Sequence, residues 1–110
     1  MTDDKKAEIH AAFVNVVNMT SAELAEWLET AESQKVGFKR DGADESVGHA
    51  SGRRILSIKR RTKARLTDDD YKHMQKVVGF VARHSARRPE NEVTSRWRYS
   101  LMNWGHDPIR

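Results

Sequence analysis

Apolar residues recur at helical spacing through most of the chain. Asp3 and Asp4 precede Ile9, Ala12, Phe13, Val16 and Val17, which lays one apolar stripe along a helix and puts acids at its N-terminal end. The pattern predicts a first helix over about residues 4–18, stopped at Asn18. Met19-Thr20-Ser21-Ala22-Glu23-Leu24 then reads as a capping box, with Thr20 as N-cap, Glu23 three residues on, and Met19 stapled against Leu24. A second helix over about residues 21–32 turns Leu24, Trp27, Leu28 and Ala31 inward and Glu23, Glu26, Glu29 and Glu32 outward as an acidic ridge. Between Ser33 and Asp44 the periodicity fades around Gly37 and Gly42, so this stretch reads as a surface loop anchored by Val36 and Phe38.

Beyond the loop, Val47, Ser51, Ile55, Ile58, Thr62 and Leu66 share one side of a helical wheel, and Arg53, Arg54, Arg60 and Arg61 share the other. Ser57 and Ala64 fill the outward line between the arginine pairs and leave a shallow strip. Gly48 and Gly52, one turn apart, predict close packing of this helix against a neighbour. Leu66-Thr67-Asp68-Asp69-Asp70-Tyr71 repeats the earlier start signal, with Thr67 as N-cap. The helix that follows, over about residues 68–87, has two apolar lines, Tyr71, Met74, Val78 and Val81 on one and His73, Val77, Phe80 and His84 on the other. Two covered sides make it the expected central packing element. Thr94 is placed to cap a last short helix in which Trp97, Ser100, Leu101 and Trp104 share a face, closed by Gly105. The expected fold is all-α, one compact domain of about five helices over residues 1–110, with acidic helices and a loop in 1–44 and a basic helical part in 45–110.

Composition supports one folded domain: 110 residues with 37% hydrophobic and 33% charged content suffice for a core but not for separate lobes. Cysteine is absent, which excludes disulfides, thiolate metal sites and cysteine nucleophiles. No long apolar run or secretory leader is visible, so the expectation is a cytoplasmic protein without a membrane partner. Phosphate-cradling glycine motifs are missing, and the closely spaced Asp44, Ser46, His49 and Ser51 do not make a triad, whose members converge from separate segments. His73 and His84 lie three turns apart, too far for joint metal coordination. No cofactor, no metal and no enzymatic activity are expected.

Charge changes the picture most. Residues 1–52 carry five Lys/Arg against ten Asp/Glu, residues 53–110 fifteen against six, so the halves stand at −5 and +9 within a net +4. Seven of those cations, Arg53, Arg54, Lys59, Arg60, Arg61, Lys63 and Arg65, fall in one stretch with no acid between them. A merely solvated face usually carries i,i+4 ion pairs. The expectation is therefore nucleic-acid binding through phosphates, DNA favoured over RNA, with weak sequence preference. Arg53, Arg54, Arg60 and Arg61 would make the central contacts and Lys59, Lys63 and Arg65 the flanking ones. Because the four arginines face away from Ile55 and Ile58, replacing them should leave the core undisturbed. A basic helix followed by TDDD is not the order of parts in a helix-turn-helix. The alternative is an interaction module whose basic face docks an acidic partner or another copy, which leaves a homo-oligomer open. Trp97 and Trp104 read as core, although Arg96, Arg98 and Tyr99 beside them also suit base stacking.

The run from Glu45 through GRRILSIKRRTKARLTDDDYKHMQKVVGFVARH to RWRYSLMNWGHDP resembles the domain of unknown function 3140 family, short bacterial and fungal proteins often labelled DNA-binding. The resemblance implies a small all-helical protein with a nucleic-acid role and carries over no catalytic residues.

Overall fold

Six hydroxyl residues, Thr2, Thr20, Thr30, Ser46, Thr67 and Ser95, each sit in extended conformation and accept a hydrogen bond from the backbone N–H three residues on. Each begins a helix, and a cap of this kind is worth about 1 kcal/mol. The computed structural model describes residues 1–91 and 93–110. Among them run α1 (Asp3–Val16), α2 (Ser21–Leu28), α3 (Ala31–Lys35), α4 (Val47–Arg60), α5 (Asp68–Ser85) and α6 (Arg96–Asn103), with a 3₁₀ turn at Lys63–Arg65. The fold is an all-α single globule, as the periodicity implied.

Several details differ from the sequence expectation, each for a local reason. The expected second helix is two, because the Thr30 hydroxyl turns back to the Trp27 carbonyl at 2.7 Å and also caps Ser33. Val36 is buried in the loop that follows, but the Phe38 side chain is 72% exposed, and only its backbone carbonyl, accepting from Val47 N–H at 2.8 Å, ties the loop to α4. The last helix is capped by Ser95 rather than Thr94. α4 stops at Arg60, so Thr62 and Leu66 lie beyond the helix. Among the described residues, no helix is long and apolar enough to cross a membrane.

The core gathers Ile9 and Phe13 from α1 with Val17 just after it, Leu24 and Leu28 from α2, Ile55 and Ile58 from α4, Tyr71, Met74, Val77 and Val81 from α5, and Leu101 and Trp104. The central element is α6 rather than α5: α6 meets α2, α3, α4 and α5, whereas α5 lies mainly along α1. A short helix serves as hub because its neighbours can come close. Gly52 of α4 has the Asn103 carbonyl and the Leu28 side chain where a Cβ would stand, and Gly48 has the Trp104 indole nitrogen. Asn103, fully buried, accepts from the Trp27 indole at 2.8 Å and from the Ser33 hydroxyl, and donates to the Ser33 carbonyl at 3.0 Å.

Beyond α6, Gly105 adopts φ +79°, a turn that favours glycine, and its carbonyl accepts from Met19 N–H at 3.2 Å. Asn18 and Asp107 exchange hydrogen bonds at 3.0 and 2.8 Å, and Arg98 grips the Asp107 carboxylate with two nitrogens at 3.1 and 3.0 Å. Arg110 closes the clamp on Glu23. This accounts for the RWRYSLMNWGHDP segment: it supplies the hub and the clasp.

The second apolar line of α5 builds a column of rings. Trp104 is stacked between His73, with centroids 6.2 Å apart, and Phe80, at 4.3 Å, and Phe80 stacks in turn on His84 at 4.6 Å. Trp97 is half-buried, its indole N–H donating to the His84 carbonyl at 2.6 Å. Burial, aided by the charges of Arg54 and Lys76, pushes His73 down to about 4. The unfolded chain has an ordinary histidine there, near about 6.5. Between those values the unfolded state binds a proton that the folded state refuses, so stability falls as pH drops from about 6.5 to about 4. His10 and His84, lowered chiefly by burial, act in the same sense. Melting temperature should fall across this window, and His73→Asn should flatten the slope. An unchanged slope in that variant would mean that His73 titrates normally.

Candidate nucleic-acid interface

The seven cations of the basic stretch divide into two groups once the neighbouring segments fold against them. Arg53 is held by Glu45, which stands just before the Ser46 cap of α4, through Nε at 2.7 Å and Nη2 at 2.5 Å. Glu45 also meets His49 Nδ1, and His49 Nε2 donates to the Leu28 carbonyl at 2.8 Å. Hydrogen bonds from Arg53, then from His49, outweigh burial and draw the Glu45 carboxyl down to about 2. Arg54 and Arg61 converge on Asp70 Oδ1 at 3.4 and 2.8 Å. The Asp70 side chain is only 4% exposed, and its other oxygen accepts from Thr67 N–H at 2.8 Å, completing the capping box that starts α5. Burial pushes this carboxyl up, but the bonds from Arg61 and Thr67 prevail and hold it below the usual carboxylate range.

A shallow cleft does run among Ala50, Arg53, Arg54, Ser57 and Arg61, but it contains the Asp70 carboxylate and lacks the expected Ala64 and Arg60, because α4 ends at Arg60 and Ala64 lies in the 3₁₀ turn beyond it. The basic stretch thus meets acids that precede and follow it. One signal for this stood in the sequence: Thr67 and Asp70 have capping-box spacing, which fixes the carboxyl beside the end of α4. Nothing in the linear pattern linked Glu45 to Arg53.

Lys59, Arg60, Lys63 and Arg65 form the second group. Among the described residues none of them has an ion-pair partner, and Arg60, Lys63 and Arg65 are exposed. All four sit at the C-terminal end of α4 or in the 3₁₀ turn after it, where unpaired helix carbonyls favour positive charge. The paired arginines keep spare donors, since a guanidinium has five N–H groups and Arg53 spends two on Glu45. The aromatic alternative at α6 is less open: Trp104 is buried, Tyr99 packs on Trp27 at 5.3 Å, and Arg98 is committed to Asp107.

Residues 12–102 match the family described as "Protein of unknown function (DUF3140)". No curated protein and no solved structure matches the chain.

Proposed function

The chain belongs to this DUF3140 family, whose description names no activity, and we propose that it is a cytoplasmic nucleic-acid-binding protein that takes double-stranded DNA through phosphate contacts with weak sequence preference. The observation that carries the reading is the group of unpaired cations, Lys59, Arg60, Lys63 and Arg65, crowded within one helix end and one 3₁₀ turn. Uncompensated charges at this density repel one another, and a polyanion relieves that repulsion while releasing its own counterions. Arg53, Arg54 and Arg61 extend the surface with the donors their carboxylates leave free.

The test uses only cations that have no ion pair among the described residues. Arg60→Gln/Lys63→Gln/Arg65→Gln should keep the parent's helicity and stability, since such surface changes cost under about 0.5 kcal/mol each. Each lost phosphate contact lowers the slope of log affinity against log salt by roughly 0.9 on duplex DNA, so the triple variant should lose about 2.7 units. Fluorescence anisotropy on two unrelated duplexes, a single strand and an RNA would read this. Parent-like affinity and slope would sink the proposal. The exposed Glu26, Glu29 and Glu32, which have no ion pair among the described residues, would then favour docking of the basic end on another copy's acidic ridge, visible as salt-sensitive self-association in sedimentation.

A further inference from the structure

Nearer the start of α4, a second set of cations, which shares only Arg54 with the basic stretch, surrounds a cavity. Arg40 from the loop, Arg54 from α4 and Lys76 from α5 line a cleft of about 310 Å³ that also includes Ser51, His73 and Trp104. Its size lies at the small end of ligand pockets, which run roughly 300–1,000 Å³. Arg40 and Lys76 have no ion pair among the described residues, and Arg54 reaches Asp70 only at 3.4 Å. The one carboxylate in the lining, Glu45, is committed to Arg53 and His49. The net field in the cleft is therefore positive, with no free acid to answer it.

Under those cations lie neutral hydrogen-bonding groups. Ser51 Oγ and His73 Nε2 are 3.0 Å apart, and the burial that keeps His73 uncharged leaves it a donor or acceptor without adding to the charge. Trp104 also lines the cleft, with Phe80 stacked on it at 4.3 Å and the His73 ring nearly parallel to it at 6.2 Å. Its indole nitrogen makes no hydrogen bond among the described residues and lies close to the α4 backbone, where a Cβ on Gly48 would stand 3.1 Å from it. Val47 and Ala50 add an apolar wall. Few convergent polar groups, an apolar wall and a one-signed rim are what a small-ligand site requires.

We propose that this cleft binds a small organic phosphate of mononucleotide size. Arg40, Arg54 and Lys76 hold the phosphate, where the planar guanidinium forks suit its oxygens and the lysine adds a point charge. The organic part lies along Val47 and Ala50 and offers acceptors to the indole edge and the Ser51–His73 pair. The site is distinct from the unpaired cations that carry the nucleic-acid reading, because Arg60, Lys63 and Arg65 do not line it.

Titration of the full-length ¹⁵N-labelled protein with adenosine monophosphate tests the proposal, because the three tryptophans give three indole signals. The Trp104 signal should move in a saturable way while those of Trp27 and Trp97 stay. Arg40→Gln/Lys76→Gln, both exposed and unpaired, should keep the fold and weaken binding at least tenfold, whereas Arg60→Gln/Lys63→Gln/Arg65→Gln should bind the nucleotide as the parent does. No Trp104 shift at millimolar nucleotide, or parent-like binding by the Arg40/Lys76 variant, would overturn the site. So would inorganic phosphate alone reproducing the affinity and the shift, since the cleft would then attract any anion. Duplex binding by the same two variants fails or survives independently, which keeps the two proposals separable.

Discussion

Gly52→Ala is expected to destabilise the protein by about 2 kcal/mol, although alanine is the better helix former. A Cβ at this position would stand 2.6 Å from the Asn103 carbonyl oxygen and 2.6 Å from Leu28 Cδ2. Leu28 could change rotamer, but the carbonyl belongs to α6 and moves only if that helix moves. Shifting α6 would strain the bonds from Trp27 and Ser33 to the fully buried Asn103 side chain. Overpacking of this kind costs typically 1–3 kcal/mol and occasionally more, against a propensity gain of about 1 kcal/mol. The clash wins. Gly79→Ala is the matched control, because its Cβ would meet only the end of the Arg83 side chain, at 3.0 Å. That variant should gain about 0.5–1 kcal/mol. Urea denaturation of the pair decides the matter: a neutral Gly52→Ala would mean that α4 and α6 are not in backbone contact.

The second large effect falls on the basic helix. Arg54→Gln with Arg61→Gln should destabilise the fold by about 3 kcal/mol, since removing the partners of a buried charge leaves that charge uncompensated. This corrects the expectation that the outward arginines can be exchanged freely: they face away from Ile55 and Ile58, but two of them face Asp70. Adding Asp70→Asn should recover part of the loss, because a neutral amide needs no counter-charge and its oxygen still accepts from Thr67 N–H. The sign of the pH dependence follows from the depressed carboxyl. Asp70 contributes stability that is complete above the ordinary carboxylate range, near about 4, and is lost as pH falls through its lower folded value. The gap between parent and double variant should therefore narrow below about pH 4, and denaturation curves at several pH values would show it. A double variant as stable as the parent at pH 7 would mean that water, rather than arginine, solvates Asp70. Binding assays that mutate Arg54 or Arg61 report on the fold as well as on the ligand, which is why Arg60, Lys63 and Arg65 are the cleaner probes.

Local signals were the legible ones. The capping boxes at Thr20 and Thr67, the glycine pair at 48 and 52, and the two lines of α5 all depend on residues within a few turns of one another, and each stands in the structure where spacing put it. Hydrophobic periodicity tells which face is covered but not by what. It therefore marked His73, Phe80 and His84 as a face without revealing the Trp104 column, and it favoured long α5 over short α6 as the hub. The split after Leu28 was missed because Glu29 to Glu32 continues the apolar rhythm through Ala31, while the Thr30 hydroxyl decides locally in favour of a new cap. At the candidate interface the seven cations were legible as a stretch. Their division into paired and unpaired groups was not, since Glu45 and Asp70 are brought in by the fold.

The clasp of Asn18, Asp107, Glu23 and Arg110 joins positions up to 92 residues apart. During synthesis α1 and α2 leave the ribosome long before the segment that braces their junction. Val17, Met19 and Leu24, all destined for the core, remain without their final neighbours until residues 101–107 have emerged. The acidic half is made first and must wait, apolar surface exposed, for the basic half to supply both its packing and its counter-charge. A domain completed by such distant contacts folds as a unit only once its last partners are available, so a ribosome stalled shortly before residue 101 would hold a nascent chain that is helical in parts, open to chaperones, and not yet the folded protein.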